Sequence, residues 1–544
     1  MKFIQKIDIY KIFSVIIIIG TVFLGYITYT NLGKGFIFND EAYYLSYFKN
    51  KGEYLSFDRT NYFRIFKFLY TPDIHRFRIN TTTTLILSNF ILYFCVFKYF
   101  KINKYIFVFS LIGIFVAFHT WSITNLSLQQ YIGNTILVNI GLSLILISFL
   151  LKKQFIILFA GFILSFILFD GNSHVVVLIP ISLFLWLADK EKRITNSLYY
   201  LAGFSIGIII YFTTMDTTEN FLDQFKFLKE YLTFHRKQHS KRFMVLWFVY
   251  LFLNAILPVA IAYFFLKKAK FSLKSVSILE KIVAVTGILT VITYFFFLEY
   301  GYIMQILFTH LLVLRFWLLK DEPIANKYLI TLLLVIPYGL TFGSQTWFHL
   351  RLHVYIVYYF LLTLICFIKL YRNISWIAGY SIVLIFLIVT FPARLTEKGW
   401  KDFVFTEQNE KVKVNGYDLY LDKGRKKDLD DLRPYLENQP NVIYSSNHLM
   451  GYLYMLDATP PIYYYFTLKD YIDYIIKKVG KTPDDYIYIE SNDYPFSPKE
   501  IIPLKFVNHP EKYKVVKTGR FTLYLPAQFQ KKIIKRPCVE SPES

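Results

Sequence analysis

Apolar residues in this chain gather into runs near the length that crosses a bilayer core, about twenty residues, with short polar stretches between them. The first run extends from about Phe13 to Tyr29 and follows Lys2, Lys6 and Lys11. It is long for a signal-peptide core, and no small-x-small cleavage site follows it, so it reads as an uncleaved first span. Further runs lie near residues 82–97, 105–121, 131–151, 154–169, 174–188, 196–214, 244–266, 279–298, 301–318, 328–342, 353–368 and 374–391. The pattern predicts a polytopic α-helical membrane protein with about 13 transmembrane helices. After about Ala393 the periodicity changes. "DLDDLRPYLENQ", "NVIYSS", "LKDYIDYIIKKVG" and "DYIYIES" alternate between helix and strand signals, and "YKVVKTGRFTLYLPA" reads as a closing hairpin with Gly519 at its turn. Two domains follow: a transmembrane domain over 1–393 and a small soluble α/β domain over 394–544.

Charge then orients the spans. With the N-terminus in the cytoplasm, the cytoplasmic connections carry Lys98/Lys101/Lys104, Lys152/Lys153, Lys190/Lys192/Arg193, Lys267/Lys268/Lys270, Lys320/Lys327 and Lys369/Arg372. The opposite short connections, 122–130, 170–173 and 343–347, hold no Lys or Arg. Three larger segments fall outside: loop 32–80, loop 215–243 and the C-terminal domain. The net charge of +22 accompanies a chain that is 55% hydrophobic, with mean hydropathy +0.40. Because the basic residues punctuate apolar runs, they fit topology and contact with anionic membrane lipids, and nucleic acid is not the expected partner. Cys95, Cys366 and Cys538 supply neither a disulfide framework nor a Cys-based metal site.

The stretch "FIFNDEAYYLSYFKN" opens the first external loop with Asp40 beside Glu41. On structural grounds alone, Asn39 or Asp40 caps a juxtamembrane helix through "EAYYLSYFKN". A chemical role is compatible with that. A carboxylate at the bilayer surface can take a proton from an acceptor hydroxyl while a lipid-linked phosphate departs from a sugar. An uncleaved first span, an acidic pair opening a long first external loop, many further spans and an external tail resemble the GT-C superfamily of glycosyltransferases, to which protein O-mannosyltransferases and lipid A aminoarabinose transferases belong. In sequence the resemblance rests on "NDEAYY". It implies transfer of a sugar from a polyprenyl-phosphate-linked donor to a cell-envelope acceptor at the outer face of a bacterial cytoplasmic membrane. It also implies Asp40 as the catalytic carboxylate and Glu41 as a neighbour that orients or tunes it. The chain departs from many relatives in its second external loop, "HTWSITNLSLQQ", which has no acid; the nearest substitute is Asp170 in "FDGNSH", with His174 at helical spacing.

Further candidates are basic. "FHRKQHSKR" in loop 215–243 offers His235, Arg236, Lys237, His239, Lys241 and Arg242 as a grip on the donor phosphate, or else a solvated basic loop offset by Asp216, Glu219, Asp223 and Glu230. In "HLRLH", Arg351 either contacts substrate or snorkels to headgroups, flanked by His349 and His353. No ligand spacing such as H-x-x-x-H with Glu appears, so a divalent cation is left open as cofactor. The tail lacks a Gly-rich phosphate loop and a G-x-S-x-G motif, which suits a support or acceptor-binding module. Two other functions fit such a chain: an O-antigen ligase or polymerase, and a lipid-linked glycan transporter or flippase. A flippase would show charges inside several spans and related halves. A noncatalytic envelope scaffold, for which Asp40 is dispensable, is the third alternative.

Overall fold

The computed structural model describes residues 9–38, 40–49, 60–103, 105–120, 128–170, 173–219, 221–222, 273–296, 298–341, 348–370, 408–446, 448–460, 486–491 and 513–526, with a few isolated positions besides. Helix α1 (Ile9–Asn31) is largely apolar and turns Val15, Ile19, Val22 and Tyr26 outward. Such a face is favourable against lipid, where the helix satisfies its own backbone hydrogen bonds. After α1 come α2 (Asp40–Lys49), a 3-10 helix (Thr60–Leu69), α3 (Ile74–Tyr99), α4 (Ile106–Thr120) and α5 (Gln130–Leu151). Helix α6 (Ile156–Ser165) continues as 3-10 turns over Phe166–Phe169 and Ser173–Val177 into α7 (Leu178–Ala188); α8 (Arg193–Ile210) ends in a π turn over Tyr211–Met215. Then follow α9 (Leu273–Phe296), α10 (Leu298–Trp317), α11 (Ile324–Thr341) and α12 (Phe348–Leu370).

Among the described residues, five helical segments are long and apolar enough to cross a membrane, namely Ser14–Asn31, Ile74–Tyr99, Gln130–Leu151, Arg193–Met215 and Ile324–Thr341. Shorter apolar helices accompany them, among them Ile106–Phe118 and Tyr355–Leu370. The chain is thus mostly helical, with apolar helices compatible with a multi-pass membrane protein and a small C-terminal α/β region. Of the expected spans, 244–266 lies almost wholly, and 374–391 wholly, outside the described residues.

Glycine sets the closest helix approach. A Cβ at Gly203 would collide with the carbonyl of Leu158, one at Gly161 with the carbonyl of Tyr200, and one at Gly207 with the Ser165 hydroxyl. Small residues therefore bring α6 and α8 backbone to backbone, a packing mode suited to helices that gain little from hydrophobic exclusion in lipid. Polar groups inside the bundle close on one another. The Asn139 amide donates to Asn89 Oδ1 at 2.8 Å and Ser88 Oγ at 3.1 Å, and Tyr358 donates to Asn139 Oδ1 at 2.7 Å.

In the C-terminal region β1 (Glu410–Val414) and β2 (Tyr417–Leu421) form a hairpin around Asn415 and Gly416, both at positive φ. That is the Asn-Gly turn whose twist matches its strands. Helix α13 (Lys423–Leu436) starts at Asp422, which accepts from the Arg425 amide at 2.8 Å as N-cap. Strands β3 (Val442–Tyr444), β4 (Ile487–Ser491), β5 (Tyr513–Thr518) and β6 (Phe521–Pro526) make a mixed sheet in the order β3-β4-β6-β5, with the short helix α14 (Leu449–Met455) after β3. The β5–β6 hairpin turns at Gly519, as its sequence predicts. The helix expected in "LKDYIDYIIKKVG" lies outside the described residues.

Candidate functional site

The α/β region sits on the first loop. Gly35 donates to the Tyr420 carbonyl at 2.7 Å, and Tyr420 donates back to Gly33 at 3.2 Å, so the loop adds a backbone bridge to β2. Phe36 stacks on Tyr454, and Phe38 packs on Tyr452 with centroids 4.6 Å apart. Lys49, at the end of α2, reaches Asp457 at 2.7 Å and Asn415 at 2.8 Å. The first loop and the C-terminal region therefore share one end of the helical bundle.

Helix α2 covers the expected juxtamembrane helix and begins at Asp40. The Asp40 side chain lies outside what the structure describes; Glu41, its neighbour, is fully buried. The Glu41 carboxylate takes two hydrogen bonds from the Arg78 guanidinium, both at 2.6 Å, and a third from the Ile37 amide at 3.1 Å. Arg78, also fully buried, spends its other donors on the carbonyls of Leu32 at 2.7 Å and of Lys34 and Gly35 at 3.0 Å. This bidentate pair ties the loop between α1 and α2 to the first turns of α3. The Glu41 carboxylate oxygens are committed to Arg78 and the Ile37 amide. Sequence reasoning overlooked Arg78, because 37 residues separate it from its partner.

A second acidic site forms where α6 gives way to α7. Asp170 ends the 3-10 turn 166–169, and His174 lies in the 3-10 turn Ser173–Val177, both essentially without solvent exposure. Their i,i+4 spacing brings the side chains together across the connection between α6 and α7, on 3-10 backbone. His174 Nδ1 contacts Asp170 Oδ2, and the Asn134 amide caps that oxygen at 2.6 Å from the first turns of α5. Gln130 donates to the Asp170 carbonyl at 3.3 Å, and the Tyr131 ring stands edge-on to the imidazole at 5.6 Å. The Asn134 amide nitrogen also stands 2.9 Å from His174 Nδ1, so the three side chains close on one another. Both His174 Nε2 and Asp170 Oδ1 are buried without a hydrogen-bond partner among the described residues.

The first loop also reaches toward this second site. Its 3-10 helix Thr60–Leu69 packs on the turns 166–169 and 211–215. From it Arg64 donates to the Met215 carbonyl. Tyr47 of α2 is buried beside Arg64, and burial pushes its phenol up to about 12 in spite of that guanidinium. Phe169, next to Asp170, stacks on Tyr211.

His235, Arg236, Lys237, His239, Lys241 and Arg242 lie outside the described residues. Arg351 is in the first turn of α12, as are His349 and Phe348; the Arg351 side chain is outside the description. Among the described residues no three His, Cys, Asp or Glu side chains group closely enough to hold a metal ion. No protein-family model matches the chain, and no curated protein matches it.

Proposed function

We propose that the protein is a membrane glycosyltransferase that moves a sugar from a polyprenyl-phosphate-linked donor to an envelope acceptor at the outer face of a bacterial cytoplasmic membrane. In this reading Asp40 is the general base. It takes the acceptor hydroxyl proton as the acceptor oxygen bonds to the anomeric carbon. The bond from that carbon to the phosphate oxygen breaks, and its electron pair leaves with the lipid phosphate. The cluster His235–Arg242, together with Arg351, is assigned to the donor phosphate, where positive charge would stabilise the leaving group. The expected topology of thirteen spans, with the N-terminus inside and the tail outside, belongs to the same proposal.

One observation carries this reading. The loop that bears Asp40 is anchored by the buried Glu41–Arg78 pair, roofed by the C-terminal region and packed by its 3-10 helix toward Asp170 and His174. A loop held by a buried ion pair and covered by the C-terminal region suits a preorganised site. A transporter is less well supported, since the polar groups of Asn139, Asn89 and Tyr358 are spent on each other inside the bundle. The test is transfer by purified protein in liposomes supplied with labelled polyprenyl-phosphate hexoses and an envelope extract. Label appearing in a glycan, glycolipid or protein fraction is expected; label only moved across the bilayer would favour the flippase instead.

A further inference from the structure

We propose that Asp170 and His174 form a hydroxyl-recognition subsite for a sugar ring, with Asp170 Oδ1 and His174 Nε2 as its two open contacts. The assignment rests on the glycosyl-transfer reading for the source of the ring, donor or acceptor, but the binding chemistry stands by itself. Both atoms are buried and without a partner among the described residues, and each such group is costly to leave unmet. A ligand that relieves both must bring a hydrogen-bond donor to Oδ1 and a polar group to Nε2. An anion would meet the carboxylate head-on. A metal ion would want a third His, Cys, Asp or Glu close by, and among the described residues none joins the pair. A neutral polyol satisfies the constraint: one hydroxyl donates to Oδ1, and another, able to donate or accept, meets Nε2.

The backbone supports the assignment. The connection between α6 and α7 runs through two 3-10 turns, with Asp170 closing the first and His174 inside the second. Asn134 and Gln130 lock Asp170 from α5, so its carboxylate is oriented before any ligand arrives. The Tyr131 ring adds the aromatic edge beside the imidazole.

The test uses full-length protein in lipid nanodiscs and the reaction of His174 with diethyl pyrocarbonate, read by mass spectrometry. The probes are methyl α-glucoside, methyl α-galactoside and methyl α-mannoside, then a polyprenyl-phosphate hexose, with inorganic phosphate as a separate arm. At least one sugar should slow modification of His174 by about 1 + [L]/Kd, roughly tenfold at ten times Kd, while His75 reacts unchanged. Protection by the lipid-linked sugar alone assigns the donor ring; protection by free glycosides as well assigns a site open to an acceptor. Asp170→Asn, which keeps the volume, should weaken that protection about tenfold or more. Three results overturn the proposal: no protection by any sugar, protection by phosphate alone, or a His174 that the reagent never modifies. Protection without any sugar transfer would keep the subsite and remove the transferase, and transfer without protection would do the reverse.

Discussion

Replacing Glu41 with Gln removes one charge and keeps the shape of the side chain. Arg78 then stays fully buried, with three carbonyls to bond and no counter-charge. Breaking one partner of such a pair costs on the order of 3–5 kcal/mol, because the remaining charge cannot recover its hydration. The cost falls on the segment the pair holds, residues 32–38 and α2, since Arg78 bonds three carbonyls there and Glu41 holds the Ile37 amide. At about 1.4 kcal/mol per tenfold, amide hydrogen exchange in that segment should quicken roughly 10² to 10⁴-fold. Exchange in α5 and α10 should change far less. Adding Arg78→Met to Glu41→Gln should restore only part of the loss, because the carbonyls of Leu32, Lys34 and Gly35 then lack their donor. Exchange within threefold of wild type over residues 32–49 would refute the reasoning, as would a double variant restored to full protection.

Gly203→Leu should force α6 and α8 apart, since even a Cβ at Gly203 meets the Leu158 carbonyl; a loss of several kcal/mol and a lower Tm in detergent are expected. A Lys34→Cys, Tyr420→Cys pair in a Cys538→Ser background should form a disulfide on mild oxidation, because these residues are bridge partners; two thiols that stay free after oxidation would separate the tail from the first loop. Asp422→Ala should cost about 1 kcal/mol of stability through loss of the α13 cap, read as an earlier urea midpoint of the C-terminal region.

What the sequence disclosed and what it hid divide along physical lines. Apolar helices and their order are legible because a bilayer demands long apolar runs, and most of the expected runs coincide with described helices. The β5–β6 hairpin was readable from Gly519 between alternating strands. The β1–β2 hairpin carried an equally clear signal, Asn415-Gly416 between "EKVKV" and "YDLYL", and went unread. Close packing at Gly161, Gly203 and Gly207 left only a small-residue spacing, Gly203 to Gly207, whose partner helix no local pattern names. The site was half legible. Asp40 and Glu41 stood out as charges beside a span, but the role of Glu41 depends on Arg78, and the Asp170–His174 pair depends on Asn134. Such long-range partners are chosen by helix packing, which periodicity does not encode.

The central claim is that Asp40 removes the acceptor proton, and Asp40→Asn tests it most directly. Asn caps a helix about as well as Asp, so expression and melting temperature should stay near wild type. Turnover from a polyprenyl-phosphate sugar, measured in liposomes beside a melting curve, should fall roughly 10² to 10⁴-fold, the usual contribution of a positioned base. Full transfer by Asp40→Asn would contradict the account.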